Sequence, residues 1–420
     1  MVANGHDVSW IVQNPAYSPK VSGQRVLQIP FPKSSDLHDG PVPEAVITDR
    51  GRTYFDAGQR HYTYYQNRLE AAVTELRPDV VIGEPTLFHE LLTVGICRAR
   101  GIPYLHPTIN RYPSGRFMIL DGDTQTPIEG SGEHWDDATL DALTEAVVTG
   151  KSLPSYMRVA SGLEKQIRRF HRGKALARTV LGRWRGERFN TPSIGRKLKL
   201  GRNLKSNLAA WADLERAPDT DGPVLLYPLQ MQPEANIDVW GRPFSDQIGF
   251  IERILAALPE GGQIAVKANP KSKYEVSDDL IVLARRDARV VLLPLDWRMP
   301  RAHEVTNGAI TVSGTVGYEA VFGRGRCISL RHPVIQKLFP ACHADTPEDA
   351  VQRLLADPTA GDGGRDATKK LLRCLIFDSF PGTINEPAYD LDCVSQENVA
   401  RVSAAFTQII STIDRREISE

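Results

Sequence analysis

The chain lacks the short cysteine spacings that mark metal or disulfide frameworks. Its five cysteines, Cys97, Cys327, Cys342, Cys374 and Cys393, form no CxxC pair, which speaks against a zinc ribbon and a disulfide scaffold and suits a reducing compartment. No apolar run approaches the roughly 20 residues that span a bilayer. The first residues also lack the charged, apolar and small-residue succession of a signal peptide, so the expected location is cytoplasmic. Net charge is missing as well. With 51 basic and 51 acidic residues, the overall field argues neither for nor against nucleic acid. GxGxxG, the P-loop, HExxH and GxSxG are all absent, which weighs against dinucleotide, NTPase, zinc-protease and α/β-hydrolase chemistry. His303, His332 and His343 are scattered without ligand spacing, so no metal is expected.

What is present is alternation of strand and helix. Asn4-Gly5-His6 resembles a helix C-cap and Asp7 to Val12 a buried strand. A chain that opens on a helix end is expected to have lost a first strand, and with it the place where a GxGxxG turn would sit. "QRVLQIP" (24–30), "PDVVIGE" (78–84) and "IPYLHP" (102–107) read as strands; Thr63 to Arg77 and "TLFHELLTVGICRARG" (86–101) read as helices. Continuous apolar strands between helices predict a parallel sheet covered on both faces. From about 132 to 215 the pattern turns helical and polar, and residues 165–205 hold fourteen Lys or Arg against one acid, Glu187. That run reads equally as a solvated face or as a patch for anionic lipid or an anionic glycan. Trp184 and Phe189 within it favour a membrane surface over nucleic acid.

A second alternating region starts at "GPVLLYPLQ" (222–230). It continues through a helix at 244–258, then "QIAVKANP" (263–270), "ARVVLLP" (288–294), "GAITVSG" (308–314), a helix from Val316 and "RCISL" (326–330). The class is therefore α/β with two Rossmann-like domains and a central cleft. The expected division is residues 1–215 with the basic insertion, 216–390 for the second domain, and a helix in 391–420 packing back on the first.

Open α/β sheets bind ligands at the carboxyl ends of their strands. Three such ends in the second region carry polar residues: Gln230, Gln232 and Glu234; Lys267 and Asn269; and Ser313, Gly314 and Thr315 before a helix bearing Glu319. Amides at a helix start favour phosphate, hydroxyls add donors, and glycine admits close approach. Taken alone, 311–319 reads as a capped helix, Lys267 as an exposed lysine beside a turn, and Glu234 as a loop carboxylate. Glu84 ends a strand of the first region and reads as a loop acid or as a cleft residue. Their company at matching strand ends favours a site.

At these residues the sequence resembles the capsule polysaccharide biosynthesis family of bacterial glycosyltransferases, which includes retaining β-Kdo transferases. The likeness is specific over about 222–335 and weaker in "PDVVIGEPTLF" and "NRYPSGRFMIL". It implies a GT-B architecture and metal-independent transfer without a cofactor. It assigns Gln230, Lys267, Asn269, Ser313, Gly314, Thr315 and Glu319 to a nucleotide-sugar donor, expected as CMP-linked Kdo, Glu234 to the nucleophile and Glu84 to the acid/base role. Arg111 and Arg116 fall to an anionic glycan or glycolipid acceptor, with peripheral inner-membrane contact through 165–205 and no nucleic acid partner. The family pattern Lys-x-His-Pro carries Asn269 here, and relatives often have His where this chain has Gln230. Losing both imidazoles keeps two alternatives open: an inverting enzyme using a UDP- or GDP-sugar, and a weakly catalytic scaffold subunit of a capsule assembly complex.

Overall fold

Ser9–Val12 (β1) and Arg25–Gln28 (β2) pair in parallel, Ser9 opposite Arg25, as a separate two-stranded sheet. Helices α1 (Tyr62–Leu76) and α2 (Phe88–Ala99) flank Val81–Ile82 (β3), which runs parallel to Tyr104–Ile109 (β4). From there the directions alternate. Arg116–Asp121 (β5) is antiparallel to β4, to Pro127–Glu129 (β6) and to the distant Phe380–Pro381 (β12), in the order β12-β5-β4-β3. The wholly parallel first sheet expected from the apolar runs is thus a mixed one. Apolar periodicity records which faces are buried, not the direction of the neighbouring strand.

The second sheet is parallel throughout: β11-β10-β7-β8-β9, formed by Val224–Pro228 (β7), Gln263–Lys267 (β8), Val290–Leu292 (β9), Gly308–Thr311 (β10) and Cys327–Ser329 (β11). Successive side chains point to opposite faces. Leu225, Tyr227, Ile264, Val266 and Ile310 therefore enter one core, and Val224, Leu226, Ala265, Val291 and Ala309 the other. Burial on both faces explains why these strands are continuously apolar in sequence. Side-chain caps start the covering helices: Asp246 accepts from Ile248 N and Gly249 N, Ser277 from Leu280 N, and Thr346 from Asp349 N, each contributing on the order of 1 kcal/mol.

The computed structural model describes residues 2, 5–20, 22–152, 173, 177, 179–384 and 391–418. The chain forms two compact units, one of Met1–Trp135, Leu153–Ser193 and Cys374–Glu420, the other of Asp136–Ser152 and Ile194–Arg373. Helices α3 (Asp137–Val148) and α4 (Ile194–Leu214), which fall before the expected boundary at 215, belong to the second unit. Their side chains explain this. Trp211 Nε1 donates to the Leu293 carbonyl at 2.9 Å and Asn207 Nδ2 to the Val276 carbonyl at 3.0 Å. Lys369 Nζ lies 2.8 Å from Asp141. In the first unit, Ala405 and Ile409 of helix α5 (Gln396–Ile418) pack on Leu105, Phe117, Ile119 and Phe380. Val94 and Cys97 of α2 pack on Tyr104.

Candidate functional site

The carboxyl ends of β7, β8 and β10 lie side by side because those strands are adjacent and parallel. Pro228 is opposite Lys267, and Leu229 N donates to the Lys267 carbonyl at 2.9 Å. Gln230 then meets Ser313. Its Oε1 accepts from the Ser313 amide at 3.1 Å, and the Ser313 hydroxyl sits 3.2 Å from the same oxygen while also contacting the Asn236 carbonyl. A backbone N–H only donates, so the amide oxygen must face it. Gln230 Nε2 is thereby fixed as a donor facing elsewhere, buried and with no hydrogen-bond partner among the described residues.

Lys267 is 5% exposed, and its ammonium makes one long contact, 3.4 Å, to the Ala268 carbonyl. Among the described residues it has no ion pair. Burial pushes its pKa below the ordinary lysine value, with the charge of Asp296 pulling the other way. A buried ammonium with no carboxylate in contact is expensive to hold and suits an incoming anion.

The loop after β7 is braced by groups that carry no signature in a single sequence. Gln247 Nε2 donates to the Gln230 carbonyl (2.8 Å) and to Gln232 Oε1 (2.9 Å), and Gln247 Oε1 accepts from Gln230 N (2.9 Å). Gln232 Nε2 donates to Asp238 Oδ1 at 2.7 Å, and Gln232 N to Glu275 Oε2 at 3.0 Å. Glu275 is buried and its pKa is raised by that burial, against backbone N–H groups that favour its charge. Gln232 was visible as a strand-end polar residue; Gln247, Asp238 and Glu275 were not. Glu234 opens the single turn Ala235–Asp238, its amide on Asp238 Oδ2 at 2.9 Å and its half-buried carboxylate capping nothing.

The remaining second-unit residues are placed less favourably. Asn269 Oδ1 accepts from Lys271 N at 2.8 Å, closing its own turn. Thr315 makes no side-chain cap, and the helix it starts is only Val316–Val321. Glu319 is half-buried, its pKa raised by burial and lowered in part by Arg324. The glycines are a correction. A Cβ on Gly314 would lie 2.6 Å from Thr311 Oγ1 and 3.4 Å from Gln230 Oε1, and one on Gly317 would lie 3.1 Å from His332 Nδ1. The room they leave is filled by the protein's own atoms, not held open for a ligand.

In the first unit, Glu84 is exposed beyond β3. Its loop is held by Glu90, whose Oε2 accepts from Leu87 N (2.8 Å) and Thr86 N (3.1 Å). Burial raises the Glu90 pKa to about 7 against those same N–H groups, so this carboxyl, missed in the sequence, titrates near neutrality. Arg111 is half-buried. Arg116, expected on an acceptor, is corrected. It is 4% exposed, and its guanidinium donates to Ser379 Oγ (2.8 Å), Glu133 Oε2 (2.7 Å), Ser131 Oγ (3.0 Å) and the carbonyls of Ile376 (3.0 Å) and Ser379 (2.7 Å). Nε and Nη2 tie β5 to the segment before β12, and Nη1 and Nη2 tie it to Glu133 and Ser131.

The basic stretch divides. Residues 165–172, 174–176 and 178 lie outside the described residues. Phe189 does not reach outward: its ring stacks on His61 with centroids 4.1 Å apart, whereas Trp184 is 82% exposed. His61 is fully buried, neither ring nitrogen is hydrogen-bonded, and burial lowers its pKa to about 3. Among the described residues no group of three or more His, Cys, Asp or Glu is arranged for a metal, and no helix is long and apolar enough to cross a membrane.

No protein-family model and no curated protein matches the chain. Solved structures do. A UDP-GlcNAc 2-epimerase from Methanocaldococcus jannaschii is 11% identical over 87% of this chain and 98% of its own, with a TM-score of 0.26. KpsC, a beta Kdo 2,4 transferase from Thermosulfurimonas dismutans, is 15% identical over 70% of this chain and 86% of its own, with a TM-score of 0.32. The Streptomyces sp. SF2575 glycosyltransferase SsfS6, complexed with thymidine diphosphate, is 12% identical over 89% and 88%, with a TM-score of 0.22. Likenesses this distant assign no substrate.

Proposed function

We propose that the chain is a nucleotide-sugar enzyme of GT-B type, a glycosyltransferase whose donor phosphate is held by the second unit. One observation carries this reading: a donor-only amide, Gln230 Nε2, and a buried ammonium with no ion pair among the described residues, Lys267, stand on neighbouring strand ends of an all-parallel sheet. Both lack a partner that an anion would supply.

The finer reading follows the family resemblance: transfer of an acidic sugar, Kdo from CMP-Kdo, to a growing capsule or lipopolysaccharide glycan with retention. Glu234 attacks the anomeric carbon, the bond to the CMP phosphate oxygen breaks, and CMP leaves with its charge balanced at Lys267. The acceptor hydroxyl then attacks the same carbon, its proton passing to Glu84 while the bond to Glu234 breaks. A carboxylate free of capping duty at Glu234 supports the first step.

Thermal-shift titration decides between donors. CMP stabilising the chain more than UDP supports the Kdo reading; the reverse order supports the inverting UDP-sugar enzyme. Glu234→Gln is expected to abolish transfer by purified protein, and near-normal turnover or an inverted product by NMR overturns the retaining mechanism. Absence of any donor hydrolysis or transfer favours the scaffold reading.

A further inference from the structure

Helix α4 has two sides of opposite character. Its inner side, Leu204, Asn207, Leu208, Trp211 and Leu214, packs on the second unit's core, and Arg196, Leu200 and Asn203 continue that side half-buried toward the helix start. Over residues 194–203, roughly 15 Å of helix at 1.5 Å per residue, the opposite side is exposed. Ile194 and Leu198, one turn apart, are 67% and 58% exposed, and Arg202 and Lys205 continue the same stripe. Residues 194–206 contain five cations and no acid. Lys197, Lys199, Arg202 and Lys205 are all exposed and form no ion pair among the described residues.

A solvated cationic helix explains the lysines but not two large aliphatic side chains aimed away from the core. A polyanion such as nucleic acid satisfies the charges and leaves the same two side chains in water. A bilayer surface with anionic headgroups answers both. Ile194 and Leu198 enter the boundary between headgroups and acyl chains, and the long stems of Lys197, Lys199 and Lys205 lie along it while their ammonium groups reach lipid phosphates. We infer that residues 194–205, the outward side of α4, dock this protein on a bilayer carrying anionic lipid. The inference narrows the basic stretch to a defined helix face and stands whether or not the chain transfers sugar.

Vesicle flotation of the full chain tests it. Co-flotation is expected with mixed phosphatidylcholine and phosphatidylglycerol vesicles, not with phosphatidylcholine alone, and release at high salt. The Ile194→Ser/Leu198→Ser variant is expected to lose about tenfold or more in vesicle affinity at an unchanged melting temperature. Lys199→Glu/Arg202→Glu/Lys205→Glu abolishes binding, and Lys199→Arg/Lys205→Arg retains it. Failure to float with phosphatidylglycerol vesicles overturns the inference. So does an Ile194→Ser/Leu198→Ser variant that floats as well as the parent, which marks a general polyanion patch. Flotation reads no turnover, so its outcome is separate from that of the donor titrations.

Discussion

Two buried cations, one in each unit, stand in opposite circumstances. Arg116 is surrounded by acceptors: a carboxylate, two hydroxyls and two carbonyls converge on its guanidinium. Lys267, equally buried, has one long contact to its neighbour's carbonyl. The family resemblance implies the same kind of role for both, a cation awaiting an anion. Their surroundings separate them. A buried charge whose acceptors come from distant parts of the same chain is a fastening; one whose acceptors are missing is held against its own solvation and makes sense when a ligand completes it.

The strongest way to break that contrast is to remove each charge in turn. Arg116→Met should lower the unfolding free energy by about 3–5 kcal/mol in denaturant melts, because buried acceptors lose their donor. Lys267→Met should leave stability within about 1 kcal/mol of the parent or raise it, while weakening CMP binding roughly 10- to 100-fold. Equal stability losses would erase the distinction.

His61 offers a sharper test, since it too is buried without a hydrogen bond yet sits among aromatic rings. Its folded pKa, about 3, lies below the ordinary 6.5. Between those values the unfolded chain binds the extra proton, so stability is lost as pH falls from 6.5 toward 3. His89 and His106, each lowered to about 4 by burial, act in the same direction. His61→Phe should gain over the parent by on the order of 3 kcal/mol near pH ~4 and by little near neutrality, read from urea melts at the two pH values. A constant difference would show that the imidazole is not neutral in the fold. The smallest effect is expected at Glu133, the half-exposed partner of Arg116. Glu133→Gln should change stability by less than about 1 kcal/mol, and a larger loss would make that ion pair, not the surrounding carbonyls, the main fastening.

The second unit was largely legible in the sequence. The runs at 222–230, 263–270, 288–294, 308–314 and 326–330 contain β7 to β11, and the helix read at 244–258 is Gln247–Ala257. A strand buried on both faces writes its whole length in apolar residues, and short connections keep the βα order visible. The first unit hid its topology. "RFMILD" pairs antiparallel with β4, and one further neighbour besides β6, Phe380–Pro381, is a two-residue strand more than 250 positions away, too short to leave a pattern. At the site, residue types at strand ends were readable, as with Gln230 and Lys267. Which of them already had partners was not, because Arg116 is satisfied by Ser379 and Ile376, and the loop of Gln230 by Gln247. Partnership is a property of the fold, and sequence spacing does not carry it.

The return of the chain to its first sheet sets an order of assembly during synthesis. β5 has Phe380 as an edge partner, and Leu105, Phe117 and Ile119 are covered by Ala405 and Ile409. A nascent chain leaving the ribosome therefore exposes an uncovered apolar sheet face while some 180 residues of the intervening unit emerge and close upon themselves. The early half waits for the late one, and for that interval the start of β5, Arg116 and Phe117 beside the β6 pairing, is an open strand edge to which chaperones or another nascent chain have access.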